Sequence, residues 1–179
     1  MNSTFSTEST VNASPLQLDS ALTAQVLALG DVLREKEWTV SSAESCTGGG
    51  VAFAFTSVAG SSDWFNQSWV TYSNEAKQQE LGVSEQTLIK HGAVSEQTVK
   101  EMAQGVCHRS GAQIAVTVSG IAGPGGGSEE KPVGTVWFGF ICGDNVAQVK
   151  QVFSGDRNQV RSAAIHFAIS HLLKMLREK

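Results

Sequence analysis

Apolar residues alternate with polar ones in two distinct rhythms along this chain. Leu18, Leu22, Val26, Leu29 and Leu33 recur at three- and four-residue steps, the period of an amphipathic helix, which predicts a helix entered near Asp19-Ser20 and left around Glu35-Lys36. A short strand follows at Trp38–Ser42. A helical pattern then runs from about Thr47 to Val58 and stops at Ala59-Gly60-Ser61-Ser62. The run Gln67–Tyr72 has strand composition, and Asn74 is placed to cap a helix through Leu81. Two copies of Ser-Glu-Gln-Thr, at 84–87 and 95–98, each put a serine cap ahead of an acidic first turn and predict two further helix starts. Gln113–Val118 is a strongly apolar strand. Val133–Ile141 and Val146–Phe153 form a strand pair turning through Gly143-Asp144-Asn145, and a long amphipathic helix closes the chain from Asp156 to Leu176 with Val160, Ala164, Phe167 and Leu172 inward. Helices and strands intermix, and the late hairpin adds antiparallel strands. The predicted fold is therefore α/β, a single-domain layered sandwich with a mixed β-sheet flanked by helices.

Composition narrows the function classes. The chain has 179 residues, 41% hydrophobic and 17% charged, which fits one domain with a sizeable core, taken as residues 15–179. Residues 1–14 are rich in Ser and Thr, without the apolar stretch of a secretory signal, and read as a disordered tail. A net charge of −4 with scattered Lys and Arg argues against nucleic acid as a partner, and no apolar run is long enough to span a membrane. Three cysteines (Cys46, Cys107, Cys142) without CxxC spacing and four histidines without ligand spacing predict neither a disulfide framework nor a metal site, and fit a reducing cytoplasm.

Three loops leave the ends of predicted strands, where open α/β sheets bind their ligands. The first is Ala43-Glu44-Ser45-Cys46-Thr47-Gly48-Gly49-Gly50. A hydroxyl-rich, glycine-rich turn of this kind can expose a nucleophilic Ser45 beside free backbone N–H groups, or it can be a glycine loop with a Ser/Thr helix cap. The second holds Tyr72, the one tyrosine in the chain, and Lys77 one turn into a helix. A serine hydroxyl needs a base. No histidine is placed to serve, whereas a lysine kept neutral by partial burial can, with tyrosine relaying or orienting the proton; the alternative is a solvated helix lysine. Cys46, beside Ser45, is a further candidate nucleophile, without a histidine to generate its thiolate. The third loop, Ser119–Gly127, has glycines at 120, 123, 125, 126 and 127 that permit close backbone approach to a phosphate, or simply make a flexible surface loop. Arg157 sits in the first turn of the last helix, against its electrostatic preference, which points either to a bound anion or to a surface ion pair.

The blocks Ala43–Gly49, Thr71–Lys77, His91–Ser95, Ser119–Gly126, Lys131–Val136 and Phe153–Arg157 together resemble the CinA C-terminal-domain family, in the family's order over residues 20–178. The stand-alone members resemble nicotinamide-nucleotide amidases, which convert nicotinamide mononucleotide to nicotinate mononucleotide and ammonia in pyridine-nucleotide salvage. The resemblance implies Ser45 as nucleophile, Lys77 as general base and Tyr72 as its partner. It also implies a substrate-binding set of Cys46, Thr47, Gly48, Gly49, Ser119, Gly120, Gly123, Gly125, Gly126 and Arg157. Ser119 stands where many relatives carry Thr, which keeps a hydroxyl. The expected protein is a cytoplasmic homo-oligomer using no cofactor or metal, with a small-molecule substrate as its partner. A nucleotide-binding module without catalysis is the alternative of a different class.

Overall fold

The computed structural model describes residues 18–178; the tail predicted for residues 1–14 lies outside them. Five strands form one sheet in the order β2-β1-β3-β4-β5, with β1 at Val40–Glu44, β2 at Phe65–Val70, β3 at Ile114–Gly120, β4 at Thr135–Cys142 and β5 at Asn145–Val152. β1 runs parallel to both β2 and β3, while β3–β4 and β4–β5 are antiparallel, so the sheet is mixed as the sequence predicts. Around it lie α1 (Ser20–Glu35), α2 (Gly50–Thr56), α3 (Asn74–Leu81), α4 (Glu85–His91), α5 (Glu96–Ser110) and α6 (Arg157–Arg177).

Alternation along the strands divides the core between the two faces. Ile114, Val116 and Val118 of β3, with Val136, Phe138 and Phe140 of β4, join Leu29, Phe55, Trp64, Ile169 and Leu172 beneath α1, α2 and α6. Ala115 of β3 and Ala43 of β1 face Leu81, Leu88, Met102 and Val106 on the α3–α5 side. On α6, Val160, Ala164 and Leu172 are buried as predicted, while Phe167 is half-buried and packs on Phe138 at a ring separation of 4.7 Å.

Several boundaries move. The helix predicted from Thr47 begins at Gly50, because Ser45–Gly49 form a turn with Gly48 and Gly49 at φ 60° and 93°, outside helical space. The cap of α3 is Ser73 rather than Asn74: the Ser73 hydroxyl accepts from the Ala76 N–H at 3.1 Å. Strand β2 ends at Val70, two residues short of Tyr72.

Parallel register does the essential positioning. Glu44 pairs with both Val70 and Val118, so the carboxyl ends of β1, β2 and β3 lie level at one rim of the sheet. The turn after β1, the turn after β2 and the glycine loop after β3 all leave from that rim, the crevice where α/β sheets bind ligands.

Candidate active site

Lys77 is the fourth residue of α3, and helical side chains lean toward the helix N-terminus. Its amine therefore curls back over the turn that precedes the helix. Nζ donates to the Thr71 carbonyl at 2.8 Å and lies 3.5 Å from the carbonyls of Tyr72 and Ser73. Nζ is also 3.3 Å from the Ser45 hydroxyl, and the side chain is only 1% exposed. Burial lowers the Lys77 pKa below the ordinary 10.5, with the neighbouring Cys46 acting weakly in the opposite sense. No carboxylate pairs with this lysine among the described residues, which leaves its neutral form available.

Cys46 has a different environment. Burial pushes its thiol up to about 11, against the lowering influence of its own backbone N–H and of Arg157 and Arg161. At neutral pH it stays a thiol, which removes it as a thiolate nucleophile.

The Ser45 turn is held from two sides. The Ser45 N–H donates to the Val118 carbonyl at 2.9 Å, continuing the β1–β3 ladder. Arg161, one turn beyond Arg157 on α6, donates to the Thr47 carbonyl at 2.9 Å. The Gly48 N–H is used by the Ser45 carbonyl and the Gly49 N–H by the Glu44 carboxylate. Among the described residues no oxygen accepts from the N–H groups of Cys46 and Thr47, and the Thr47 hydroxyl is buried without a partner. The expectation that the end of α2 offers its N–H groups to a ligand is corrected: Glu44 fills that end.

Tyr72 also departs from expectation. Adjacent residues at a strand end point to opposite sides, so Thr71 is buried while Tyr72 is 60% exposed. The Tyr72 hydroxyl accepts from Arg157 Nη2 at 3.0 Å, and only its backbone carbonyl meets Lys77. The predicted partnership of its phenol with Lys77 is therefore replaced by one with Arg157. Arg157 Nη1 donates to the Gly123 carbonyl at 2.9 Å, so this guanidinium ties Tyr72 to the glycine loop. Within that loop Gly120 is packed against Val136, while Gly125 and Gly126 are exposed. Ser119 is buried, and its hydroxyl donates to the Ala93 carbonyl at 2.7 Å.

The structure thus brings Ser45 and Lys77 into contact, and sets Tyr72, Arg157 and Gly123 together as a second group. A cavity of about 260 Å³ opens between α1, α2 and α6; it touches Gly50 and Arg161, but neither Ser45 nor Lys77 lines it. Among the described residues no three His, Cys, Asp or Glu side chains gather as a metal site would require. Sequence reasoning missed Glu44 and Arg161 as holders of the turn. Neither role has a signal in the sequence: the burial of the strand that Glu44 closes and the reach of Arg161 to Thr47 appear only in the folded chain.

A strand-ended crevice with a serine against a buried lysine is the candidate site of this α/β fold. The family model described as the CinA C-terminal domain matches residues 22–176, so the chain belongs to the CinA C-terminal-domain family. It is 59% identical over 147 residues to the nicotinamide-nucleotide amidohydrolase PncC of Enterobacter agglomerans, covering 82% of this chain and 90% of that one. It is 53% identical over 156 residues to the PncC of Escherichia coli K12, covering 86% and 94% respectively. The crystal structure of the competence/damage inducible protein CihA from Agrobacterium tumefaciens superposes with a TM-score of 0.87 at 39% identity, over 91% of this chain and 99% of that one.

Proposed function

We propose that this protein is a nicotinamide-nucleotide amidase that hydrolyses the carboxamide of nicotinamide mononucleotide through an acyl-enzyme on Ser45. The observation that carries the reading is the 3.3 Å contact between the Ser45 hydroxyl and a buried Lys77 amine. The PncC relatives supply the substrate.

In the neutral state Lys77 accepts the Ser45 proton as Oγ attacks the amide carbon. The oxyanion that forms is met by the N–H groups of Cys46 and Thr47, from which no oxygen accepts among the described residues; one such donor is worth about 3–4 kcal/mol in other acyl transfers. The Lys77 ammonium then gives its proton to the departing nitrogen, which leaves as ammonia. Lys77 next takes a proton from water, the hydroxide breaks the ester, and the proton returns to Ser45 Oγ. The products are nicotinate mononucleotide and a regenerated serine. Lys77 acts on Ser45 directly, because the Tyr72 phenol is engaged with Arg157.

Arg157, with the glycine loop and Ser119 behind it, is the proposed holder of the ribose phosphate. A guanidinium whose partners here are a neutral phenol and a carbonyl keeps its full charge for an anion. The setting proposed is the cytoplasm, where Cys46 and Cys107 would stay outside disulfides as they do here.

The test is ammonia release from nicotinamide mononucleotide. Wild-type enzyme turns over, and Ser45→Ala, with an unchanged circular dichroism spectrum, does not. Absence of turnover by wild type would return the protein to a nucleotide-binding module.

A further inference from the structure

Five of the six α-helices among the described residues are capped by the side chain of the residue just before them: Asp19, Ser73, Ser84, Ser95 and Asp156. Helix α2 is the exception. Its cap position is Gly49, which has no side chain, and its first N–H groups go instead to Glu44 at the end of β1. Glu44 Oε2 accepts from Gly49 at 3.1 Å and from Val51 at 3.0 Å, and Oε1 accepts from Ala52 at 2.9 Å. The side chain is wholly buried, and no Lys or Arg pairs with it among the described residues.

Burying a carboxylate costs free energy that a serine cap would avoid, so capping alone does not account for it. What Glu44 adds is connectivity. Its backbone belongs to the sheet and its carboxylate to α2, so the four residues Ser45–Gly48 are cinched between two ends of one residue. We propose that Glu44 is a positioning residue for the amidase reaction. By closing this turn it holds Ser45 against Lys77 and keeps the Cys46 and Thr47 N–H groups free for the oxyanion. The same three bonds occupy the α2 end, so the substrate's phosphate is directed to Arg157 instead. The inference rests on the amidase reading given above.

The test compares wild type, E44Q, E44D and S45A by steady-state kinetics on nicotinamide mononucleotide. Thermal melts, and the rate at which a fluorophosphonate labels Ser45, are measured alongside. Glutamine has one acceptor oxygen and turns an NH2 toward the N–H cluster, so at least one donor is orphaned. E44Q is expected to fold and lose about 100-fold in kcat, the scale of an ångström misplacement, with labelling slowed in parallel. Its KM stays within about threefold of wild type and the midpoint of its pH profile does not move, since Lys77 is untouched. E44D keeps the charge but falls one methylene short, and is expected to recover part of the loss.

Wild-type kcat and labelling in E44Q would overturn the proposal. So would a loss equal to the loss of folded protein, or failure of both variants to fold, either of which makes Glu44 a determinant of the fold alone. The S45A arm separates the two readings: ammonia release that does not depend on Ser45 sinks the amidase mechanism, while labelling rates still decide the role of Glu44.

Discussion

Lys77 Nζ reaches the Ser45 hydroxyl at 3.3 Å across 32 residues of chain. Two separate pieces of local geometry make this contact: level strand ends put the two turns side by side, and the backward lean of a helical side chain brings the amine down between them. The same contact serves two protonation states. As an ammonium, Lys77 donates to Ser45; as an amine, it would accept the Ser45 proton in the proposed mechanism.

The pH dependence follows from the direction of the Lys77 shift. Burial lowers its folded-state pKa below 10.5, and the proposed mechanism needs the neutral amine. kcat/KM is therefore expected to fall on the acid side with an apparent pKa below that of a free lysine. Lys77→Met is expected to lose about 10²–10⁴-fold in kcat, the usual contribution of a general base, and Lys77→Arg is not expected to restore it because a guanidinium stays charged.

Stability moves in the same direction with pH. Between its lowered folded pKa and 10.5, Lys77 binds a proton only in the unfolded chain, so stability rises with pH through that window and the penalty is complete below it. Lys77→Met is expected to melt above wild type at neutral pH, by about 2–4 °C for each kcal/mol recovered. Calorimetry that finds the variant less stable would contradict a buried lysine held against its preferred charge.

Tyr72→Phe separates direct from relayed proton transfer. The phenol contacts Arg157, not Lys77, so the variant is expected to keep kcat within a few-fold while KM for the nucleotide rises. A kcat loss as deep as that of Lys77→Met would restore Tyr72 to the proton path.

Arg157→Ala is expected to raise KM for nicotinamide mononucleotide about tenfold or more, the scale of a charge-assisted contact worth about 1.5–3 kcal/mol. With the riboside, which lacks the phosphate, the same variant should match wild type. Equal losses on both substrates would place the phosphate elsewhere.

A fold prediction concerns α5 and α3. A Cβ on Gly105 would fall inside contact distance of the Leu81 carbonyl oxygen, a backbone atom with little room to move. Gly105→Ala gains helix propensity but forces these helices apart, and Leu81 ends the helix that carries Lys77. The expected result in a thermal melt is a net loss of about 1–3 kcal/mol, typical of overpacking.

The strand-ended loops, the Ser45–Lys77 pair and the mixed sheet were legible because each has a local signature: a period, a glycine turn, a capped helix start. What stayed hidden depends on where the folded chain points each side chain. Glu44 reads as one more acid in the motif until the fold shows its carboxylate five to eight residues ahead on α2. Arg161 meets Thr47 across 114 residues, a contact no spacing encodes. Proximity in sequence pairs the Tyr72 phenol with Lys77, but the strand ends two residues earlier and the exposed side chain meets Arg157 of α6.

The proposed reaction passes through a covalent ester on Ser45, which peptide mapping of enzyme quenched during turnover of nicotinamide mononucleotide would capture. The expected result is a nicotinate mononucleotide adduct on the Ser45 peptide that hydroxylamine removes as the hydroxamate. An adduct on Cys46, or product formed in hydroxylamine without any hydroxamate, would contradict it.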